Sequence, residues 1–116
     1  MASIPPQLIV VYSRPVRREL GEIWDWNAIN YGADHATAYV RYLEDCIIGL
    51  GVRFADGRPM AKRPHLMKIT FRRSRKLKSN AHTVVYRVDE AAGTVTIVHV
   101  FHTARDIEGI LGTEGT

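Results

Sequence analysis

The feature that most constrains this chain is a change of hydrophobic period part-way along it. Val16, Leu20, Ile23, Trp24, Asn27 and Tyr31 recur at three- and four-residue steps, and Ala36, Val40, Leu43, Ile47 and Leu50 follow in a 4-3-4-3 spacing. That period belongs to amphipathic helices. Beyond Gly51 the period becomes two, with Ile69 and Phe71 alternating with Lys68, Thr70 and Arg72. A helical block followed by a run of strands predicts an α+β domain with the helices on one face of a sheet.

Punctuation supplies the boundaries. Leu8-Ile9-Val10-Val11-Tyr12 is a short β-branched apolar run after Pro5-Pro6 and reads as a buried strand. Ser13 is expected to cap the first helix, with Pro15 in its first turn, where a missing N–H costs nothing. Gly32 ends that helix and Asp34 is placed to cap the second, so short a link predicting an antiparallel helical hairpin. Asp56-Gly57-Arg58-Pro59 reads as a turn, and three strands follow: about Leu66 to Arg73, His82 to Val88, and Val95 to Phe101. The last is apolar on both faces and is expected to be central or covered. Thr103 to Leu111 carries weak helical spacing and predicts a short C-terminal helix. The expected fold is therefore an N-terminal strand, an antiparallel helical hairpin packed on a small, mainly antiparallel sheet, and a short terminal helix.

The 116 residues predict one domain, residues 1–116, with a single core. The lone Cys46 cannot form an internal disulfide, and its apolar setting suits a small packed hydrophobe. The N-terminus resembles no secretory signal and no apolar run approaches the ~20 residues of a membrane span, which predicts a soluble, cytoplasmic protein. Charge is unevenly spread. From Val52 to Lys78, ten basic residues stand against Asp56 alone, whereas the segments on either side are net acidic. Such a concentration attracts phosphate or an acidic protein, unless it is simply a solvated hairpin tip.

Familiar local signatures of nucleotide, zinc or serine-hydrolase chemistry are missing from the sequence. No cofactor or metal is expected, and His99 and His102 would fall on opposite faces of a strand running through both. Two constellations remain. One is the basic run Arg72-Arg73-Ser74-Arg75-Lys76-Leu77-Lys78. The other is the strand end Phe101-His102-Thr103-Ala104-Arg105-Asp106, whose polar groups either tie down the tail or supply an acid/base imidazole beside cations.

Arg18-Glu19-Leu20-Gly21-Glu22-Ile23-Trp24, Ala36-Thr37-Ala38-Tyr39, Gly57-Arg58-Pro59, His82-Thr83-Val84-Val85-Tyr86-Arg87-Val88 and the closing Val98-His99-Val100-Phe101-His102-Thr103-Ala104-Arg105-Asp106 occur in that order. Together they resemble the ParE-type toxins of the RelE/ParE toxin–antitoxin superfamily, over about Val11 to Leu111. The most specific piece is the closing strand ending in His, with Asp four positions on. Thr103 departs from the Gly often found there, and the basic strip is denser than usual. The resemblance implies a non-enzymatic toxin that inhibits DNA gyrase and so replication, neutralised by a cognate ParD-like antitoxin in a hetero-oligomer. It implies target contacts at Arg58, Arg72, Arg73, Arg105 and Asp106. An antitoxin surface is expected at Trp24, Trp26 and Ile29, because Trp26, Ala28 and Ile29 lie partly outside the core-facing stripe, although the two tryptophans would also suit packing under the N-terminal arm. The ribonuclease branch is the alternative, with His102 as acid or base and Lys68, Arg73 and Arg87 on phosphate; direct nucleic-acid binding is possible but not required by the ParE resemblance. A non-toxic copy that survives as a binding partner is the third reading.

Overall fold

The computed structural model describes residues 7–74 and 81–102. Its elements are β1 (Ile9–Tyr12), α1 (Val16–Tyr31), α2 (Ala33–Arg53), β2 (Arg58–Pro59), β3 (Met67–Arg72), β4 (Ala81–Asp89) and β5 (Thr94–His102). The strands form one sheet in the order β1-β5-β4-β3-β2, with β1 parallel to β5 and every other pair antiparallel. The expected C-terminal helix lies outside the described residues.

The helices form because their apolar residues fall on one stripe. Val16, Leu20 and Ile23 of α1 and Tyr39, Leu43, Ile47 and Leu50 of α2 are buried against Val84, Tyr86, Val95, Ile97 and Val100 of the sheet. Arg17, Arg18, Glu22 and Asp25 stay on the wet side of α1. A single residue, Gly32, joins the two helices, with φ +95°, a conformation that a side chain would strain. The Trp24 indole N–H donates to Thr37 Oγ1 at 3.1 Å and ties one helix to the other.

Both expected caps are used differently. Ser13 does not cap α1, which starts at Val16 after Pro15 with no side-chain cap bond. Its hydroxyl instead donates to the Val98 carbonyl at 2.7 Å, while its N–H donates to Ile97 O at 2.9 Å. These bonds extend the β1–β5 pairing past the strand end, so satisfying the sheet edge wins over capping the helix. Asp34 lies inside the first turn of α2, where its charge favours the positive helix end without capping it. The expected turn at Asp56–Pro59 includes a two-residue edge strand, Arg58 pairing with Lys68 and Pro59 with Met67. Proline is tolerated there because an edge position needs no second ladder donor.

β5 carries the irregularity that decides where its last side chains go. Tyr86 is opposite Ile97, but Val85 is opposite His99, so Val98 is an extra residue in the ladder. The alternation therefore shifts by one: Val95 and Ile97 face the helices before the bulge, and Val100 faces them after it. The second face is covered too, but only in part. Met60 and Leu66, from the β2–β3 connection, pack over Val85, Val98 and Phe101 in a smaller cluster. This gives β5 the two covered faces that its apolar sequence demands.

Candidate functional site

Strand parity sorts the candidate side chains onto two faces. Met67, Ile69 and Phe71 pack against the main core, so Lys68, Thr70 and Arg72 occupy the opposite face of β3, all three exposed. Arg58 is directly opposite Lys68 and shares that face. On β4, Val84, Tyr86 and Val88 face the helices, which leaves Arg87 on the same side as Lys68. Lys68, Arg72, Arg87 and Arg58 thus come together on the outer face.

His102 does not join them. It is opposite His82, and the two rings meet edge-on with centroids 5.4 Å apart. The His82 ring is buried on the helix side, with Nδ1 2.6 Å from the Tyr39 hydroxyl of α2. Burial, and secondarily the charge of nearby His102, lowers the His82 pKa to about 4, so this imidazole is neutral at pH 7. Burial pushes the Tyr39 phenol upward, and with it Tyr42, which reaches about 12. Arg73 follows β3 in the parity of Phe71, and its charge acts on the Tyr42 hydroxyl. Of the four residues considered for phosphate cleavage, Lys68 and Arg87 lie on one face while His102 and Arg73 belong to the other.

His99 is on the opposite face from His102, as their separation of three in regular strand requires, and the bulge before it decides that it takes the outer face with Val85 and Phe101. Its ring stacks on Phe101 at 4.9 Å, and its Nδ1 is 2.8 Å from Glu19 Oε2. The other Glu19 oxygen accepts the Val100 N–H at 2.9 Å. This carboxylate from α1 therefore occupies the β5 edge just beyond the point where β1 leaves it. Among the described residues no group of three His, Cys, Asp or Glu side chains is arranged to hold a metal.

The loop carrying Arg58 is fixed from behind. The Tyr86 hydroxyl donates to Phe54 O at 2.9 Å and accepts the Gly57 N–H at 2.9 Å. A β-carbon at Gly57 would collide with that hydroxyl and with the Lys68 carbonyl, so glycine is required by the close approach of the two chains.

Apolar exposure is concentrated elsewhere. On α1, Ile29 is 85% exposed and Trp26 45%, the latter meeting Tyr31 edge-on at 5.8 Å. Trp24 differs from them: it is half-buried and engaged with Thr37. Ile48 and Val52, one turn apart on α2, and Ile9 and Val11 on β1 are also exposed. A groove of about 540 Å³ between α2 and β3 is lined by Tyr42, Cys46, Leu50, Val52, Ile69 and Phe71 among others. Arg105 and Asp106 lie outside the described residues, as does the N-terminal arm before Gln7.

Sequence reasoning missed Glu19, Tyr39 and His82 as a polar framework. The signal was present for Glu19, which sits three residues after Val16 and four before Ile23, on the stripe meant for the core. A carboxylate there must find buried donors.

A family model described as the ParE toxin of the type II toxin–antitoxin system parDE matches residues 10–107. The chain belongs to the ParE toxin family. A curated relative, Toxin ParE1 of Mycobacterium tuberculosis, is 32% identical over 97 residues, covering 83% of this chain and 90% of the relative. Among solved structures, a chain of the chromosomal ParDE system from P. aeruginosa superposes with a TM-score of 0.68 at 17% identity, covering 83% of this ParE-family chain and 96% of the other. A chain of the RelBE2 toxin–antitoxin complex from Mycobacterium tuberculosis gives 0.61 at 18% identity, with 89% and 98% covered. An E. coli RelE mutant in the free state gives 0.56 at 13% identity, with 94% and 97% covered. The ParE and RelE toxins share this helical hairpin on a sheet, so the fold alone does not separate inhibitor from ribonuclease.

Proposed function

We propose that this ParE-family toxin acts by binding rather than by catalysis, that its target is DNA gyrase, and that a cognate antitoxin neutralises it in a cytoplasmic hetero-oligomer. The observation that supports a non-catalytic mode is the division of the sheet. General acid–base cleavage of a phosphodiester needs an imidazole within hydrogen-bond reach of the group that the cations hold. Here the cations Lys68 and Arg87 occupy the outer face, where the one imidazole of β5, His99, is 7% exposed and held by Glu19, while His102 stands against His82 on the helix side. His82 itself is neutral, buried and engaged with Tyr39. The gyrase assignment rests on the family and on the basic docking residues Arg58, Arg72 and Arg73, with Arg105 and Asp106 beyond the described strands.

Trp26 and Ile29 are the antitoxin contacts that this reading favours, because exposed apolar side chains on a small domain mark interfaces. Trp24 contributes through its exposed edge while holding α1 to α2. ParDE and RelBE2 structures are among those sharing this fold, and their descriptions name toxin–antitoxin systems.

The test is plasmid supercoiling by gyrase in the presence of antitoxin-free protein, with transcript integrity followed in cells expressing the chain alone. Loss of supercoiling with intact transcripts is the expected result. Unchanged supercoiling at large molar excess, or transcripts cut at the onset of arrest, would overturn it.

A further inference from the structure

Arg58, Lys68, Arg72 and Arg87 form a basic patch on the outer face of the sheet. Arg58 and Lys68 are directly opposite across β2 and β3, which brings their β-carbons to about 5 Å. Lys68 is opposite Val85, so Arg87 is its diagonal neighbour on β4, at roughly 7 Å. Arg72 lies four residues along β3, about 13 Å from Lys68. All four are exposed, and among the described residues none has a carboxylate within ion-pair distance. Asp89, the next acid on that face of β4, accepts the Ala92 N–H at 3.0 Å and closes the following turn. Between Lys68 and Arg72 the Thr70 hydroxyl is hydrogen-bonded to that of Thr83 at 2.9 Å.

What this face lacks is as informative. The apolar side chains nearest the patch, Val85 and Phe101, are sealed beneath Met60 and Leu66, and the exposed Ile9 and Val11 of the same face lie on β1, at the opposite edge of the sheet. A protein partner is anchored by apolar and aromatic side chains that fill pockets, and among the described residues the patch offers none, so at a protein target Arg58 and Arg72 add charge to a contact anchored elsewhere. Reading of single-stranded bases needs an exposed ring to stack on, and Phe101 is only 4% exposed. Cations and hydroxyls spread over some 10–13 Å suit a ligand that repeats negative charge along its length.

We propose that the outer face of β2, β3 and β4 binds the phosphodiester backbone of nucleic acid without reading its sequence. Arg58, Lys68, Arg72 and Arg87 then contact phosphate, and the exposed apolar residues of α1 are left for protein contact. This goes beyond the gyrase reading and does not depend on it, since a toxin can hold DNA whatever its protein target.

The experiment is fluorescence anisotropy of a labelled 20-base-pair duplex of arbitrary sequence, titrated with the antitoxin-free chain between 50 and 200 mM salt. Four contacts give a slope of log affinity against log salt of about −3.6. Lys68→Ala and Arg87→Ala, both at exposed positions, should each reduce the slope by about 1, and together weaken binding about tenfold or more at low salt. A duplex of scrambled sequence should bind alike, and circular dichroism should show both variants folded. No binding at 50 mM salt would overturn the proposal, as would a double variant with unchanged affinity and slope, which would move the interaction to cations such as Arg75, Lys76 and Lys78. Competition by polyglutamate as effective as by DNA at equal charge would overturn it in favour of an acidic protein ligand. A loss of DNA binding with gyrase inhibition intact would support this proposal and separate it from the function proposed above.

Discussion

Replacing His82 with asparagine should remove a specific part of the protein's sensitivity to acid. The buried imidazole has its pKa lowered to about 4 from an ordinary 6.5, by burial first and by His102 second. Above pH 6.5 the ring is neutral whether the chain is folded or unfolded, and contributes no pH dependence. Between 6.5 and about 4 the unfolded chain takes up a proton that the folded one refuses, so stability falls as pH falls. Below pH 4 both states are protonated and the loss is complete. The gap between the two values, at about 1.4 kcal/mol per pH unit, makes that loss roughly 3 kcal/mol. His82→Asn keeps an acceptor near Nδ1, 2.6 Å from the Tyr39 hydroxyl, but cannot titrate. Urea unfolding of both proteins at pH 7.5, 6, 5 and 4 measures the difference. The variant should lose roughly 3 kcal/mol less than the parent across that range, while the titrating groups that both proteins share cancel. Parallel stability curves, or a His82 resonance titrating near pH 6.5, would refute the reasoning.

Glu19→Ala should destabilise the fold by about 3 kcal/mol, because it removes the acceptor of the Val100 N–H and strands the His99 ring, both buried; Glu19→Gln, which can still accept one of these bonds, should lose about half as much in the same unfolding experiment. Ile29→Asp, at a side chain 85% exposed, should change stability by no more than about 0.5 kcal/mol yet weaken capture of the co-expressed antitoxin at least tenfold, as read by titration calorimetry.

The helices and strands were legible because each obeys one period over enough residues to declare itself. α1 and α2 follow their apolar stripes, and β3 shows its wet face in the alternation of Lys68, Thr70 and Arg72 with Ile69 and Phe71. The basic face was legible as composition, and the structure adds that Arg58, Lys68, Arg72 and Arg87 share it while Arg73 does not. Caps were less legible, since the Ser13 hydroxyl could accept a helix N–H or donate to a strand carbonyl, and only tertiary contact decides that it donates to Val98 O. The Tyr39–His82 bond joins residues 43 apart, and no local pattern announces such a pair. Met60 and Leu66 were hidden for a similar reason: in a turn-rich segment their apolar character has no period, although together they close the second face over Val85 and Phe101.

The single extra residue at Val98 has the widest consequence. Without it, β5 would keep one alternation from Thr94 to His102, and the register would place His102 on the face opposite Val95 and Ile97, beside the cations of β3 and β4. The bulge turns the last residues of the strand over, sending Val100 and His102 to the helices and His99 to the outer face, where it stacks on Phe101 and is bonded to Glu19. Glu19 holds that arrangement in place by accepting the Val100 N–H at the edge that β1 has left. The two histidines of β5 are therefore withheld from a phosphate at Lys68 and Arg87 in different ways: His102 is on the helix side, and His99, which shares the outer face with Val85 and Lys68, is 7% exposed and held by Glu19.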